Sequence, residues 1–139
     1  MTSPIPIFQR NYLQGKPFVK VKISIFNPLT NQFAAFEEKC WVDTGFSGGV
    51  HVPDFRRSEA VMAGVSPSST SLTLAGGQRA PGHICLAYIQ QIENLTIPPP
   101  GIETELIMQG HLDHGLLGLE VLRRWIAKFN GPSQELSFY

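Results

Sequence analysis

Apolar and polar residues alternate between residues 19 and 25, where valine and isoleucine are separated by lysine and serine. This period of two predicts a half-buried antiparallel strand. A turn is predicted at residues 27–31 because Asn, Pro and Thr cluster there, and residues 33–42 return as the partner strand. The hairpin ends in the motif Asp43-Thr44-Gly45, so the second strand leads directly into that motif.

The remaining patterns predict a mainly β chain with one or two short helices. Further strands are expected at residues 50–53, 71–75, 84–89, 105–108 and 136–139. Helices are expected at residues 54–64, with Asp54 as N-cap, and at residues 119–128, where apolar residues recur at helical spacing. Residues 1–17 are interpreted as an N-terminal arm that covers a sheet edge or a partner subunit, and residues 18–139 as one domain.

Composition and charge exclude several classes of function. The 139 residues suit a single domain, and 11 basic residues balance 11 acidic ones, so no footprint for nucleic acid or an anionic membrane is expected. The apolar runs are too short to span a membrane, and the first residues lack the pattern of a signal peptide. Cys40 and Cys85 lie in apolar strand-like runs and are interpreted as free buried thiols, which favours a cytoplasmic location.

Asp43-Thr44-Gly45 is the main candidate for chemistry. Asp and Gly are poor strand residues, so the strand must stop here, and Gly45 with the following Gly48-Gly49 allows a tight loop. The loop would present one carboxylate at the end of a buried strand. An ordinary Asp turn has the same local sequence, and these residues alone leave both interpretations open.

Two separate motifs resemble the retropepsin-like aspartic proteases. The first is Val42-Asp43-Thr44-Gly45, and the second, much later, is Leu116-Leu117-Gly118 with the apolar segment that follows it. In that family the second motif packs beside the catalytic loop. The resemblance covers roughly residues 18 to 139 and implies a closed β-barrel of the acid-protease fold and a two-fold dimer.

The resemblance implies an aspartic endopeptidase that needs no cofactor or metal. Hydrolysis requires two carboxylates around one water, and two neighbouring carboxyls share a proton. The motif occurs once in this chain, and Asp54, Asp113 and Glu120 lie in no second such loop. A homodimer acting on a peptide or protein substrate is therefore expected, with Asp43, Thr44 and Gly45 as the catalytic loop of each copy. The C-terminal strand is expected to pair with its symmetry mate.

A flap is expected near residues 72–82, because a glycine-tipped hairpin lies between the two motifs. A plain surface hairpin is the alternative interpretation. The residues expected to bind substrate are Phe46, Ser47, Ala75, Gly76 and Gly77.

Three positions depart from the retroviral pattern. Phe46 stands where a small residue is usual, and its ring would narrow the cleft or line a specificity pocket. Ser47 replaces an acidic residue and Leu119 replaces an arginine, so an ion pair of the family is absent without leaving a lone charge.

Other functions compete with peptide hydrolysis. A catalytically silent dimerisation or peptide-binding module of the same fold is the main alternative, and self-processing in the arm is another. The stretch His111-Leu112-Asp113-His114 matches no standard zinc spacing. A nucleophilic Cys85 lacks an activating neighbour in the sequence.

Overall fold

Strands make up most of residues 5–74 and 76–139, the part of the chain that the computed structural model describes. The strands are β1 (Phe8–Asn11), β2 (Phe18–Phe26), β3 (Phe33–Val42), β4 (Val50–Pro53), β5 (Ser68–Thr73), β6 (Arg79–Ile92), β7 (Leu95–Thr96), β8 (Ile102–Gln109), β9 (Gly115–Leu117), β10 (Ala127–Asn130) and β11 (Glu135–Phe138). A 3-10 turn at Asp54–Arg56 leads into helix α1 (Arg57–Met62), and helix α2 spans Leu119–Leu122.

Six strands close into a barrel in the order β2-β3-β9-β4-β8-β6, and β6 pairs again with β2. Each of these six strands pairs with a neighbour on both sides over at least part of its length, while β5 and β7 extend the sheet from β6. The alternation along β2 fits this arrangement, since Val19, Val21, Ile23 and Ile25 are fully buried. The prediction of a mainly β chain with a closed barrel and short helices is confirmed.

The N-terminal and C-terminal segments form a second sheet in the order β1-β11-β10. Phe8 in β1 lies against Phe138 in β11, with ring centroids 5.3 Å apart, and Trp125 stacks on the same Phe138 ring. The predicted arm thus includes a strand that covers one edge of β11. The expectation that the C-terminal strand pairs with a symmetry mate is wrong for β11, because β1 and β10 already occupy both of its edges.

The helix predicted at residues 119–128 ends early. Helix α2 stops at Leu122, and Ala127 begins strand β10. Leu122 is buried as expected, but Ile126 is 72% exposed rather than on the buried face of a helix. The backbone of Ile126 instead exchanges two hydrogen bonds with Tyr139, so pairing with the C-terminal segment overrides the local helical pattern.

The hairpin between the two motifs is longer than predicted. Strand β5 begins at Ser68, before the predicted start at residue 71. Strand β6 begins at Arg79 rather than at residue 84, so it includes Pro81 and Gly82. The Pro81 ring is tolerated because β6 pairs at that position with β5 alone, so the strand has a free edge there.

Helix α1 lies within residues 54–64, where a helix was predicted, but the first turn of this segment is a 3-10 turn. Pro53 is the residue that precedes the 3-10 turn, and no side chain caps it, so the expectation of Asp54 as N-cap is wrong. The Asp54 carboxylate instead accepts hydrogen bonds from the Arg57 guanidinium. Gly64 ends the helix with a φ of +72°, as its position in the sequence predicted.

Strand β9 brings the two sequence motifs together. It lies between β3, which it meets in parallel, and β4, which it meets antiparallel. Residues 43–49, which connect β3 to β4, therefore loop around the end of β9. Within the described residues no helix is both long and apolar enough to cross a bilayer.

Candidate active site

The Asp43 loop is anchored by backbone hydrogen bonds. Asp43 N donates to the carbonyl oxygen of Leu117 at 2.9 Å, which ties the first loop residue to the end of β9. Gly45 N donates to Asp43 Oδ1 at 2.9 Å, so one carboxylate oxygen is oriented by the loop itself. Asp43 is half-buried, and no described residue donates to its Oδ2. That oxygen remains available for a ligand.

The second motif holds the far side of the same loop. Gly118 N donates to Gly49 O at 2.8 Å, Leu119 N to Phe46 O at 2.9 Å and Glu120 N to Gly48 O at 3.1 Å. These three bonds satisfy carbonyl groups that a tight loop would otherwise leave unpaired. The conformation of the Asp43 loop consequently depends on a segment distant in sequence.

Gly118 is required by close packing rather than by its backbone angles. Its φ of −106° suits any residue. A Cβ at this position, however, would lie 2.7 Å from the Phe46 carbonyl oxygen and would also meet Gly48 O and the Phe46 ring. Only a residue without a Cβ lets the start of α2 approach the loop this closely.

Phe46 contributes one wall of the site. Its ring packs at 66° against the His51 ring with centroids 4.2 Å apart, and Gly48 passes close to the ring edge. Both aromatic residues line a cleft beside Asp43. The Phe46 ring thus forms part of the wall of the cleft.

The cleft beside Asp43 has a volume of about 860 Å³. Its apolar lining comes from the loop, the barrel and the hairpin of β5 and β6, and these side chains are Phe46, Leu72, Leu74, Ile107 and Leu116. The cleft also touches Ser47 and Gly45. A volume of this size accommodates several residues of an extended peptide.

The hairpin of β5 and β6 projects beyond the barrel at the cleft. Gly82 pairs with Gln109, the last residue of β8, whereas Leu72 and Thr73 pair only with β6 residues past that point. Leu72, Thr73 and Leu74 form a wall of the cleft. This overhang is where a flap was expected from the sequence.

Of the predicted flap residues, Gly76 and Gly77 lie at the hairpin tip with φ values of +95° and +83°. Both are exposed and neither lines the cleft. Ala75 lies outside the described residues. Thr44 is exposed and also does not line the cleft.

Three carboxylates border the cleft, namely Asp43, Glu105 and Glu120. The sequence does not identify Glu105 as a site residue. Its place in a strand indicates only which face of the strand it lies on. The other acids considered lie elsewhere. Asp54 binds Arg57 at 2.8 Å, and Asp113, 94% exposed, lies beside His114.

His51 and Gln109 form a polar pair in the cleft wall that the sequence did not reveal. His51 Nδ1 lies 2.6 Å from Gln109 Oε1, and Gln109 is only 3% exposed. Burial lowers the pKa of His51 below its ordinary value of 6.5, and the bond to Gln109 only partly opposes this effect. The neutral imidazole is therefore favoured, with Nδ1–H donating to the amide oxygen.

A smaller hollow of about 290 Å³ lies on another side of Asp43. Lys16, Trp41 and His114 line it, and it shares Asp43 and Leu116 with the larger cleft. Asp43 thus borders two depressions of the surface.

The cysteines do not contribute a nucleophile to this site. Cys40 is fully buried, and burial together with the nearby Glu38 carboxylate raises its pKa. Burial raises the pKa of Cys85 to about 11, so the thiol form dominates at neutral pH. The two sulfurs are not joined in a disulfide. Nor do the described residues group three His, Cys, Asp or Glu side chains in a way that could hold a metal ion.

Comparison with protein-family models, with curated proteins and with solved structures gives no match to this chain.

Proposed function

We propose that this chain is an aspartic endopeptidase of the retropepsin-like class that acts as a homodimer. The observation that carries the proposal is the position of the Asp43 loop. It wraps around the end of β9, next to the Leu116-Leu117-Gly118 motif, and opens on a cleft of about 860 Å³. A turn with a purely structural role would need neither the cleft nor a free carboxylate oxygen.

In this mechanism one Asp43 from each copy flanks a water molecule. The ionised carboxylate takes a proton from the water as its oxygen attacks the peptide carbonyl carbon, and the protonated carboxyl donates to the carbonyl oxygen. The tetrahedral intermediate then collapses, and a proton passes to the leaving nitrogen as the C–N bond breaks. Gly45 N orients Oδ1 for this chemistry.

The arrangement of acids supports the proposed dimer. Within the described residues, no second loop of the Asp-Thr-Gly type presents an Asp beside Asp43, so we assign the partner carboxylate to the same loop of another copy. Thr44 is exposed next to Asp43, where its hydroxyl can bond to the same loop of the partner. Because both edges of β11 are occupied, strand pairing between copies would have to use the outer edge of β1 or β10.

Mixing experiments test the shared site directly. Asp43→Asn should abolish cleavage of a denatured protein or a peptide library, because the variant loses the general base. Asp113→Asn is the matched control, since Asp113 is 94% exposed and lies outside the cleft. In an equal mixture of wild type and Asp43→Asn, random pairing leaves about one quarter of dimers intact, so activity should fall to about one quarter rather than one half.

Two results would contradict the proposal. One is cleavage by Asp43→Asn at the wild-type rate. The other is activity that stays proportional to the amount of wild type in such mixtures after subunits have exchanged. Tight peptide binding without any turnover would instead favour a silent binding module.

A further inference from the structure

The electrostatic character of the cleft differs from that of the whole chain. The chain has equal numbers of acidic and basic residues. The cleft, in contrast, is bordered by Asp43, Glu105 and Glu120 but by no lysine or arginine. None of these carboxylates has a cationic side chain within 4 Å in the described part of the chain. The negative charge is therefore available to a ligand.

Glu105 and Glu120 lie beside the same segment of the loop. Glu120 N donates to Gly48 O, and the Glu105 carbonyl is within 3.6 Å of the position that a Cβ on Gly49 would occupy. Both side chains are exposed and line the cleft. The backbones of both residues thus approach the Gly48-Gly49 segment, and both contribute a carboxylate to the cleft.

A buried polar pair provides an independent indication of the ligand. Gln109 lines the cleft although it is only 3% exposed, and its Oε1 is taken by His51 Nδ1. No described group pairs with the Gln109 amide nitrogen. It can donate to a peptide carbonyl. His51 Nε2 is left as an acceptor for an N–H group.

We propose that the cleft selects peptides with a lysine or arginine side chain next to the cleaved bond, and that Glu105 and Glu120 bind its charged end. The inference depends on the proposed peptidase function for the cleavage itself, but not for the binding. The apolar stem of such a side chain packs on Ile107 and Leu116, while its nitrogen atoms reach the carboxylates. Gln109 Nε2 holds the peptide backbone nearby.

The expected preference is moderate because the carboxylates are exposed. An exposed pair of charges changes binding by roughly 2- to 5-fold, so two carboxylates give roughly 10-fold selection of lysine over its uncharged isostere norleucine. The same peptide with glutamate should be the poorest substrate. Screening weakens such exposed interactions, so the preference should decline as salt is raised.

Matched peptides and variants test this inference. Three peptides that differ only in lysine, norleucine or glutamate at one position next to the cleaved bond are compared by kcat/KM. Glu105→Gln and Glu120→Gln should each lower the lysine preference by roughly 2- to 5-fold, and the double variant should abolish it. Glu103→Gln is the control, because Glu103 is exposed on the same strand but lines no part of the cleft.

Binding measurements separate this inference from the proposed function. Asp43→Asn with the same peptides reports affinity without turnover, so an inactive protein still gives an answer. Tighter binding of the lysine peptide that is lost with Glu105 and Glu120 supports the inference even if no cleavage is found. Equal affinity for the three peptides, or a lysine preference that persists in the double variant, overturns it.

Discussion

Replacing Gly118 with alanine should destabilise the chain by about 2–3 kcal/mol. The added Cβ would lie 2.7 Å from the Phe46 carbonyl oxygen and would also meet Gly48 O. Those oxygens accept hydrogen bonds from Leu119 N and Glu120 N, so neither can move away without losing its bond. Breaking both costs about 2 kcal/mol, and displacing the Phe46 ring adds about 1 kcal/mol. Alanine also has less conformational freedom than glycine in the unfolded chain, and this difference offsets about 0.5 kcal/mol of the cost.

Urea denaturation followed by tryptophan fluorescence measures this effect. Gly110→Ala is a suitable control, because an added Cβ there meets no atom within 4 Å and Gly110 is exposed. The control should stay within about 0.5 kcal/mol of wild type. If Gly118→Ala is as stable as wild type, the loop and the start of α2 are not packed too closely for a Cβ at residue 118. Peptide cleavage should fall together with stability, because the loop that carries Asp43 has to move.

Two further predictions concern charged and titratable groups. Arg56→Met should lower the free energy of unfolding, measured by urea denaturation, by about 2 kcal/mol, because it leaves the buried Glu38 carboxylate without its partner at 3.2 Å. Arg57→Met is the control and should lower it by less than about 1 kcal/mol, because the pair of Arg57 with Asp54 is half-exposed. Burial lowers the pKa of His51 in the folded chain, so protonation favours unfolding. This contribution to stability is complete above about pH 6.5 and is lost as the pH falls through the folded-state pKa. Between about pH 8 and pH 5, wild type should therefore lose more stability than His51→Gln, and equal losses would contradict the shift.

Most of the barrel could be predicted because its signals are local. The alternation in β2, the turn at residues 27–31 and the return strand at 33–42 are each encoded by neighbouring residues. The short strand at 50–53 has the predicted bounds. Where a strand forms only by pairing with a segment that the local pattern does not reveal, the local pattern predicted the wrong structure. The helix predicted at residues 119–128 ends at Leu122, and residues 127–130 pair with β11, which supplies backbone hydrogen bonds.

The candidate site was only partly predictable for the same reason. Asp43 and its neighbours form a contiguous motif, so the sequence indicated them directly. His51 comes from β4, whereas Glu105 and Gln109 come from β8, and only the register between these two strands brings them to one cleft. Glu105 and Gln109 look like ordinary outward-facing residues of an alternating strand. No signal in the sequence distinguishes the residues of such a strand that face a cleft from those that face open solvent.

The insertion of β9 between β3 and β4 has a consequence for how the protein matures. The backbone bond from Asp43 to Leu117 cannot form until the later segment is present, and this contact spans much of the chain. Such long-range contacts form slowly and late. During synthesis, a chain that has emerged only as far as the overhanging hairpin would carry its acidic residue on an unsupported turn. The Asp43 loop would thus reach its final conformation only after β9 and the start of α2 had left the ribosome.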